Sequence, residues 1–446
     1  MEQQDLFRHS LTQKQSHGVS EWGTFKDSLK APVHRWFTYP AGFSFKAVEH
    51  SLEMCGIQQG QTVYDPFMGL GTTNVTAKTL GINSIGIEAH PFVFNIAKTK
   101  LNWEIHAHDI HHVINDISDK FEHALTTLPI NAIEQNFPEL ILKCYDEETL
   151  KKLFVLRNFV LNDDMTPDIR DFFHVVVTAL LRNVSKAATG WPYIAPKKIK
   201  TTSLNKDALT EFNALALSML HDIELIKIES GKRYINSLHA PILGDSRNTT
   251  DAIRNQSVDH VFTSPPYLNN FDYSDRTRLE MYFWGNAKTW GDISEQVRTR
   301  LITSATTQIA RTDMKYAISP ELKDHSPNIA DFIRNAAHEL SELRKIKGGK
   351  KSYDLMVIGY FNDIFQVLKD VYRVLKPKTK ALFVLGDSAP YGVHIPTDKI
   401  IGELGVKIGF SDYAIEILRQ RGDKWKDNPQ QHDVKLQESI VTLSKG

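Results

Sequence analysis

The stretch Thr62-Val-Tyr-Asp-Pro-Phe-Met-Gly-Leu-Gly-Thr-Thr73 predicts how this chain folds, because it is typical of a strand, a tight glycine turn and a helix start. The helix pattern continues over residues 74–80 and stops at Gly81, and a second apolar strand follows over residues 82–87. Another helix begins at residue 91 with proline in its first turn. This alternation predicts an α/β fold with a doubly wound, mostly parallel sheet.

The two glycines of the turn, Gly69 and Gly71, indicate a ligand site. Glycine lets the backbone approach a ligand closely, and a helix start offers unpaired N–H groups to a carboxylate or a phosphate. Two phosphate loops are excluded, because position 74 is Asn where the dinucleotide pattern needs Gly, and no Gly-Lys-Ser/Thr follows. The remaining pattern fits a ligand with one carboxylate and no pyrophosphate.

Two acidic residues at strand ends suggest the rest of that ligand. Glu88 lies seventeen residues beyond Gly71, where a carboxylate can accept both hydroxyls of a ribose. Asp245 ends the short apolar run 241–244 and is placed to accept an adenine amino group. Taken singly, each acid is more often a solvated strand end or a helix cap. Carboxylate, ribose and adenine sites in this order together describe S-adenosylmethionine.

A second motif, Ser264-Pro-Pro-Tyr267, follows the apolar run 258–263, at the strand end where an open α/β sheet places its chemistry. Two prolines fix φ and lack N–H groups, so the backbone leaves the sheet extended, with unclaimed carbonyls. Carbonyl and Ser264 oxygens can accept the N–H bonds of an amine on a flat ring, while Tyr267 stacks on its face. The alternative is a polyproline linker or a surface ligand for another domain.

The exocyclic amine of cytosine or adenine is a poor nucleophile, because its lone pair is delocalised into the ring. Acceptors placed off the ring plane draw this nitrogen towards tetrahedral geometry and free the lone pair. Such a site works mainly by positioning and needs no strong nucleophile of its own.

On these motifs the chain resembles the amino-type DNA methyltransferases, which methylate cytosine N4 or adenine N6. Residues 65–72 match the family's cofactor motif Asp-Pro-Phe-x-Gly-x-Gly-Thr, and residues 264–267 match its (Ser/Asn/Asp)-Pro-Pro-Tyr motif. The segment 34–43, His-Arg-Trp-Phe-Thr-Tyr-Pro-Ala-Gly-Phe, resembles the element that closes over the methionine end of the cofactor. The resemblance implies a Rossmann-like methyltransferase fold and the cofactor S-adenosyl-L-methionine.

The resemblance also implies roles for individual residues. The residues expected to hold the cofactor are Tyr39, Phe43, Asp65, Phe67, Gly69, Gly71, Thr72, Thr73, Glu88, Asp245 and Ser246. The catalytic residues expected to hold the target base are Ser264, Pro265, Pro266 and Tyr267. Serine in the first position of the second motif is similar to the cytosine-N4 subgroup.

The implied function is therefore site-specific methylation of a flipped cytosine in double-stranded DNA. The setting is a restriction-modification or similar system, with a cognate restriction endonuclease as a possible partner. Adenine-N6 methylation is the first alternative and methylation of an RNA base the second. A DNA-binding module with an inactive pocket is a third.

Long stretches of chain between the motifs depart from a minimal sheet and indicate insertions. The predicted division is an N-terminal arm over 1–30, a methyltransferase domain over 31–101 and 241–446, a mainly helical insertion over 102–240 that is a candidate target-recognition region, and a second insertion over 285–350. Later patterns predict a helix over 363–375 and strands over 381–385, 412–418 and 438–443.

Three basic segments are candidates for DNA contact. The loop 188–200 interleaves aromatic and basic residues, which suits stacking on bases and contact with phosphates. The run 344–351 is basic and flexible, and a third group of basic residues lies just after the second motif. Each segment can equally be a solvated surface or the outer face of a packed helix. The predicted nucleic-acid-binding residues are Trp191, Tyr193, Lys197, Lys198, Lys200, Arg276, Lys350 and Lys351.

Composition sets wider bounds. The 446 residues have zero net charge, which argues against a protein that coats polyanions indiscriminately. Two cysteines exclude a disulfide framework, and the N-terminus lacks a signal-peptide core, so we expect a cytoplasmic protein without a membrane span. The histidines at 106, 108, 111 and 112 match no metal signature, and methyl transfer from a sulfonium needs no metal, so no metal site is predicted.

Overall fold

The computed structural model of the chain describes residues 14–15, 22–39, 42–188, 194–201, 206–269, 272–309, 317–347, 351–421 and 434–446. Its strands are β1 (Lys14–Gln15), β2 (Thr62–Asp65), β3 (Asn83–Glu88), β4 (Ala187–Ala188), β5 (Ala195–Ile199), β6 (His239–Leu243), β7 (Val258–Thr263), β8 (Leu375–Gly386), β9 (Asp412–Arg421) and β10 (Leu436–Ser444).

The helices outnumber the strands and fill the stretches between them. They are α1 (Phe45–Met54), α2 (Thr72–Leu80), α3 (Pro91–Lys100), α4 (Ala107–Thr126), α5 (Ala132–Asn136), α6 (Glu139–Cys144), α7 (Glu147–Asn162), α8 (Pro167–Val184), α9 (Ala208–Ser230), α10 (Tyr273–Arg276), α11 (Arg278–Trp284), α12 (Trp290–Ile293), α13 (Pro320–His325), α14 (Pro327–Ile346), α15 (Tyr353–Val374) and α16 (Thr397–Ile408). No helix among the described residues has the length and apolar character needed to cross a membrane.

The central sheet has the strand order β1-β9-β10-β8-β7-β2-β3-β6. All of its neighbouring pairs are parallel except those of β10, which runs antiparallel to both β8 and β9. The sequence prediction of a doubly wound, mostly parallel sheet is therefore confirmed. The predicted strand over 258–263 is β7, which is buried along its whole length and pairs with β2 at the middle of the sheet.

Both faces of the sheet are covered, because alternate residues of the central strands pack against different helices. Tyr64 and Val261 belong to a core formed with α14, α15 and α16. Val63 and Phe262 belong to a second core, formed with α1 and α2. The predicted helix over 363–375 is the second half of α15. β8 begins at residue 375, earlier than predicted, with an irregular register against β7 around this point.

The predicted insertion over 102–240 is mainly helical, as expected, and contains α4 to α9 with a small β4–β5 ribbon. Its helices share one hydrophobic core with α2 and α3 of the sheet region. Asp222 on α9 accepts hydrogen bonds from the Arg35 and Trp36 side chains and from the Val33 N–H. The insertion is thus packed onto the methyltransferase core and does not stand apart as a separate lobe.

The segment at 22–30 departs from the prediction of a weakly held N-terminal arm. The Ser44 N–H donates to the Trp22 carbonyl at 2.9 Å, and Ser28 is fully buried. A side chain at position 42 would overlap the ring of Phe25, so the two stretches pack closely. This described part of the predicted arm belongs to the folded domain, because the partly buried Trp22 and Phe25 side chains pack against residues 42–50.

Candidate active site

A cleft lies at the carboxyl ends of β2, β3, β6 and β7, and its empty space measures about 900 Å³ including the open mouth. Both sequence motifs line it, the glycine turn from one side and the Ser-Pro-Pro segment from the other. Of the predicted site residues, those that line the cleft are Tyr39, Phe43, Phe67, Gly69, Thr72, Glu88, Asp245, Ser246, Ser264 and Pro266. The two motifs therefore converge on one cavity, although nearly two hundred residues separate them.

Asp65, the last residue of β2, lies beneath the cleft and is fully buried. Its Oδ1 accepts hydrogen bonds from the Thr263 hydroxyl at 2.6 Å and from the Phe67 N–H at 3.0 Å. Its Oδ2 is buried with no partner among the described residues. Burial raises the pKa of this carboxyl to about 6, and the hydrogen bonds from the Thr263 hydroxyl and the Phe67 N–H oppose that rise. Asp65 thereby joins the end of β2 to the end of β7.

The glycine turn adopts the backbone that its sequence predicts. Gly69 and Gly71 have φ of 52° and 78°, which side-chain-bearing residues rarely adopt. Gly71 is the N-cap of α2, and no side chain caps the helix start, so its first N–H groups remain available to a ligand. Thr72, the first residue of α2, lines the cleft at this point. The arrangement suits a carboxylate.

Glu88 ends β3 and shapes the turn from the next strand. Its Oε2 accepts the Gly69 N–H at 2.9 Å and its Oε1 accepts the His90 N–H at 2.8 Å. Desolvation raises the pKa of Glu88 to about 7, and these backbone hydrogen bonds limit the rise. Each carboxylate oxygen has a second lone pair, so Glu88 can still accept ribose hydroxyls while it holds the turn.

Asp245 follows β6 on the exposed side of the cleft and forms a bidentate ion pair with Arg247, with a closest distance of 2.6 Å. Arg247 also pairs with Asp363 on α15 at 2.9 Å. The hydroxyl of Ser246 donates to the Pro66 carbonyl, which joins the β6 end to the glycine turn. Arg247 thus orients the Asp245 carboxylate.

The Ser264-Pro265-Pro266-Tyr267 segment leaves β7 with its residues in two environments. Ser264 and Pro266 line the cleft, and the Ser264 hydroxyl has no hydrogen-bond partner among the described residues. Pro265 and Tyr267 are buried and are not part of the cleft lining, and Tyr267 is 7% exposed. Its hydroxyl donates to Oε1 of Glu438 at 2.8 Å. The segment therefore presents its acceptors to the cleft, while its aromatic ring is fixed from behind.

The predicted second insertion supplies one wall of the cleft. The Asn269 N–H donates to the Ser304 carbonyl at 2.9 Å. Asp272, 5% exposed, accepts hydrogen bonds from Arg298 and from the Thr307 hydroxyl, both at 2.9 Å. These contacts hold the loop that follows Tyr267 against residues 298–308.

Sequence reasoning missed several residues of the cleft. Those outside the recognised motifs are Phe25, Tyr273, Arg300, Leu301, Ile302 and Ser304. They lie in segments without a regular hydrophobic period, so the sequence pattern does not mark them as site residues. The one available indication was an aromatic residue in polar surroundings, as at Phe25. The Arg300 side chain is exposed in the cleft and has no ion-pair or hydrogen-bond partner among the described residues.

Thr73 and Arg276 occupy positions that do not suit their predicted contacts. Thr73 is fully buried, and its hydroxyl donates to the Phe262 carbonyl at 3.3 Å, so it ties α2 to β7 and does not line the cofactor cleft. Arg276 is 7% exposed and donates to the Thr38 carbonyl at 2.8 Å. Its guanidinium therefore holds the segment that carries Tyr39 and does not face a phosphate in solvent.

The other predicted DNA contacts fall on the surface or outside the described residues. Lys197 and Lys198 are exposed on β5, whereas the Lys200 ammonium donates to the Arg182 carbonyl at 3.1 Å. Lys351 is exposed, with its ammonium 5.8 Å from the centre of the Tyr353 ring. Trp191, Tyr193 and Lys350 lie outside the described residues.

The donor set fits S-adenosylmethionine better than a metal. In the described part of the chain, no three His, Cys, Asp or Glu side chains gather around a common point. The cleft offers an uncapped helix start for a carboxylate and Glu88 for a ribose. Beneath it, the Asp65 oxygen without a partner can accept a donor.

Comparison with known proteins agrees with this geometry. Residues 3–99, which include the glycine turn, match a family model described as DNA methylase. The chain is 26% identical over 486 residues to Type II methyltransferase M.BsoBI of Geobacillus stearothermophilus, an alignment that covers 98% of this chain and 92% of that protein. It is 22% identical to Type II methyltransferase M.MvaI of Kocuria varians, covering 88% and 85% of the two chains.

A third relative is similar over the same extent. Type II methyltransferase M.AvaI of Anabaena variabilis is 21% identical, and the alignment covers 89% of this chain and 82% of that protein. With the two motifs meeting in one cleft, these matches support the amino-type DNA methyltransferase family, whose methyl donor is S-adenosyl-L-methionine.

Proposed function

We propose that this protein methylates the exocyclic N4 amine of a cytosine within a specific sequence of double-stranded DNA, as the modification enzyme of a Type II restriction-modification system. The proposal rests on one observation, which is that the carboxyl ends of β2 and β7 lie side by side in the sheet. β2 and β7 are neighbours, and the Thr263 hydroxyl donates to Asp65 at 2.6 Å, so the glycine turn and the Ser-Pro-Pro segment face one cleft.

The residues of the cleft suit a mechanism based on positioning. S-adenosylmethionine, when bound, supplies a methyl group already activated by its positively charged sulfur. Ser264 and the carbonyls of the proline segment accept the N–H bonds of the target amine and free its lone pair for the new N–C bond. The extra proton then leaves to solvent or transiently to Ser264. A strong general base is unnecessary, because the product amine loses that proton readily.

Cytosine is favoured over adenine because Ser264 occupies the first position of the second motif. Double-stranded DNA is favoured over RNA because the matching family model is described as DNA methylase and the relatives are Type II methyltransferases. We propose that the predicted insertions at 102–240 and 285–350 read the target sequence, with exposed Lys197 and Lys198 among the phosphate contacts. We also propose that this protein has a cognate restriction endonuclease as its partner.

The test is methyl transfer from labelled S-adenosylmethionine to duplex DNA and to RNA, followed by mass spectrometry of the released nucleosides. We expect N4-methylcytosine from DNA and no label in RNA. Detection of N6-methyladenine would show that the target base is adenine and not cytosine. Label found only in RNA would overturn the proposed DNA substrate. Base-resolution sequencing of DNA from cells with and without the gene then identifies the target sequence.

Three variants assign roles within the site. Asp65→Ala should abolish cofactor binding, because it removes the carboxylate that joins the glycine turn to β7. Ser264→Ala and Tyr267→Ala should bind the cofactor with wild-type affinity but lose turnover. Wild-type turnover by Tyr267→Ala would contradict its role as the stacking platform for the base. Cofactor affinity is measured by calorimetry and turnover by label transfer.

A further inference from the structure

Glu438 lies at the start of β10, far from both sequence motifs, yet it contacts the motif tyrosine. The side chain is 3% exposed, and its Oε1 accepts the Tyr267 hydroxyl at 2.8 Å. Its Oε2 pairs with Nε of Arg419 on β9 at 2.5 Å. A buried carboxylate is costly unless charge and hydrogen bonds compensate it, and here one cation and one hydroxyl do so.

The backbone around Glu438 is arranged to aim this side chain. The register between β9 and β10 shifts between Glu438 and Ser439, which is a β-bulge in the antiparallel pair. Bulges of this kind redirect a side chain next to functional sites. Gly23 also packs closely against the carboxylate, because a Cβ at this position would overlap its Oε2.

Tyr267 is consequently held at both ends. Its backbone follows two prolines, which restrict the chain, and its hydroxyl is held by Glu438. A hydrogen bond to an ionised carboxylate is stronger than one between neutral groups. This hydrogen bond adds a directional contact at the end of a ring that otherwise packs in the core formed with α14, α15 and α16.

We propose that Glu438, supported by Arg419, is a positioning residue that sets the plane of the Tyr267 ring for stacking of the flipped base. The inference rests on the proposed role of Tyr267 as the platform for that base. Glu438 does not line the cleft, so we expect its effect on the reaction to pass through the tyrosine hydroxyl.

The test compares Tyr267→Phe and Glu438→Gln with the wild-type protein on DNA that the wild type methylates. Tyr267→Phe retains the ring and removes the hydroxyl, and Glu438→Gln retains the shape and removes the charge. We expect kcat to fall about tenfold in each, the effect of losing a charge-assisted hydrogen bond at an aligned site. Cofactor affinity should stay at the wild-type value, and turnover is measured well below the thermal midpoint of every variant, because Glu438→Gln also removes the ion-pair partner of Arg419. The double variant should be no worse than either single one, because both changes break the same contact.

The chain contains a matched control. The Tyr413 hydroxyl lies 3.0 Å from Oε1 of Glu403, a similar buried pair in which Tyr413 belongs to the same sheet but neither residue lines the cleft. Glu403→Gln should retain wild-type kcat. If Glu403→Gln lowers kcat as much as Glu438→Gln does, the loss reflects general destabilisation and the positioning role is wrong.

Further outcomes separate this inference from the function on which it rests. If Tyr267→Phe or Glu438→Gln has wild-type kcat while Tyr267→Ala is inactive, the positioning role of Glu438 is wrong. The proposed stacking role of the Tyr267 ring is then retained. Wild-type kcat in Tyr267→Ala overturns the platform itself. Additive losses in the double variant overturn the shared contact. Should Glu438→Gln fail to fold, Tyr267→Phe decides the question alone, because it changes one hydroxyl.

Discussion

Asp65 and Glu88 are both acids at strand ends, and burial raises the pKa of both. Asp65 is enclosed beneath the glycine turn, and its pKa is about 6. Glu88 lines the cleft, and its pKa is about 7 because desolvation outweighs its two backbone hydrogen bonds. Each acid must be ionised to accept donors with both oxygens, so the protonation state of this pair should control how well the cofactor binds.

The first prediction concerns pH. Glu88 ionises at about 4.5 in an unfolded chain and at about 7 when folded, so ionisation costs folding stability as the pH rises through this window. Ribose hydroxyls that donate to the carboxylate favour its ionised form. Cofactor affinity should therefore rise as the pH increases from 6 to 8, with a midpoint at about 7.

Calorimetric titration of the cofactor at several pH values measures this step. Glu88→Gln serves as the control, because its amide does not titrate and should bind the cofactor weakly at every pH. An affinity that stays constant for the wild type across the window would contradict a role for the Glu88 carboxylate in binding.

The second prediction concerns Arg300, whose exposed side chain lines the cleft without a partner among the described residues. A guanidinium in this position suits an anionic group, either the cofactor carboxylate or a phosphate of the target strand. Arg300→Gln should weaken the binding of one of these ligands about tenfold, which corresponds to about 1.4 kcal/mol.

Separate titrations of cofactor and DNA tell which ligand supplies the anion. Arg254→Gln is the matched control, because Arg254 is also exposed but precedes β7 and so lies at the opposite edge of the sheet. Unchanged affinity of Arg300→Gln for both ligands would show that Arg300 contacts neither.

At the scale of secondary structure, the cleft depends on contacts that join elements distant in sequence. The segment that carries Tyr39 is tied to α9 by Asp222, which accepts hydrogen bonds from two side chains and one backbone N–H. The loop after Tyr267 is tied to the second insertion by Asp272. In both places a buried carboxylate joins an irregular segment to a regular element, which orders a wall of the cleft that has no hydrogen-bonded ladder of its own.

The third prediction tests the first of these contacts. Asp222 is 1% exposed, so Asp222→Ala leaves the Trp36 and Val33 N–H groups without an acceptor. The free energy of unfolding should fall by about 2–3 kcal/mol, since Arg35 is partly exposed and retains water as a partner. Cofactor affinity should fall as well, because the segment that carries Tyr39 is released.

Urea denaturation and cofactor titration measure the two effects. Glu224→Ala on the same helix is the control, because this side chain is exposed and its loss should change stability by no more than about 0.5 kcal/mol. Equal stability of the Asp222 and Glu224 variants would mean that the Asp222 contacts contribute nothing measurable.

At the scale of the whole molecule, zero net charge means that DNA affinity depends on where the basic residues lie. The exposed lysines of β5 are carried by the helical insertion, which shares its core with the sheet region. The ribbon packs on this core through Ala187, and the Lys200 ammonium after β5 donates to the Arg182 carbonyl on α8, so its charges can contribute to orienting the duplex relative to the cleft.

The fourth prediction follows from this placement. Lys197→Glu combined with Lys198→Glu should weaken DNA binding and reduce the slope of log affinity against log salt by about 2, as expected for two lost phosphate contacts. Lys407→Glu is the control, because Lys407 is exposed on α16, which packs beside β9 and β10 at the other end of the sheet. An unchanged slope in the double variant would remove the ribbon from the DNA interface.

The strands and helices nearest the motifs were predictable because their signals are local. The run 258–263 coincides with β7, and the turn at Gly69 and Gly71 has the left-handed backbone that only glycine adopts readily. A helix ending before Pro377 and the late apolar runs at 412–418 and 438–443 also indicated real elements. In each case residues close together in the sequence indicate the structure. They do so through the spacing of apolar residues, the backbone freedom of glycine or the backbone restriction of proline.

Residues whose roles depend on distant partners were not predictable in this way. Phe25 falls within the predicted N-terminal arm, yet it lines the cleft, and the sequence predicts a DNA contact for Arg276, yet this residue is buried against Thr38. Glu438 carried no signal at all, because 171 positions separate it from Tyr267. No pattern of spacing within either segment encodes such a contact.

The sequence by itself determined the fold class, the family and the two motifs, because glycine, proline and periodic apolar residues restrict the nearby backbone in characteristic ways. The tertiary structure alone decided which irregular segments close the cleft, which charges are buried, and which acid holds the tyrosine hydroxyl. The physical reason is that parallel strands place their carboxyl ends at one edge, where residues far apart in the chain are packed against one another out of water.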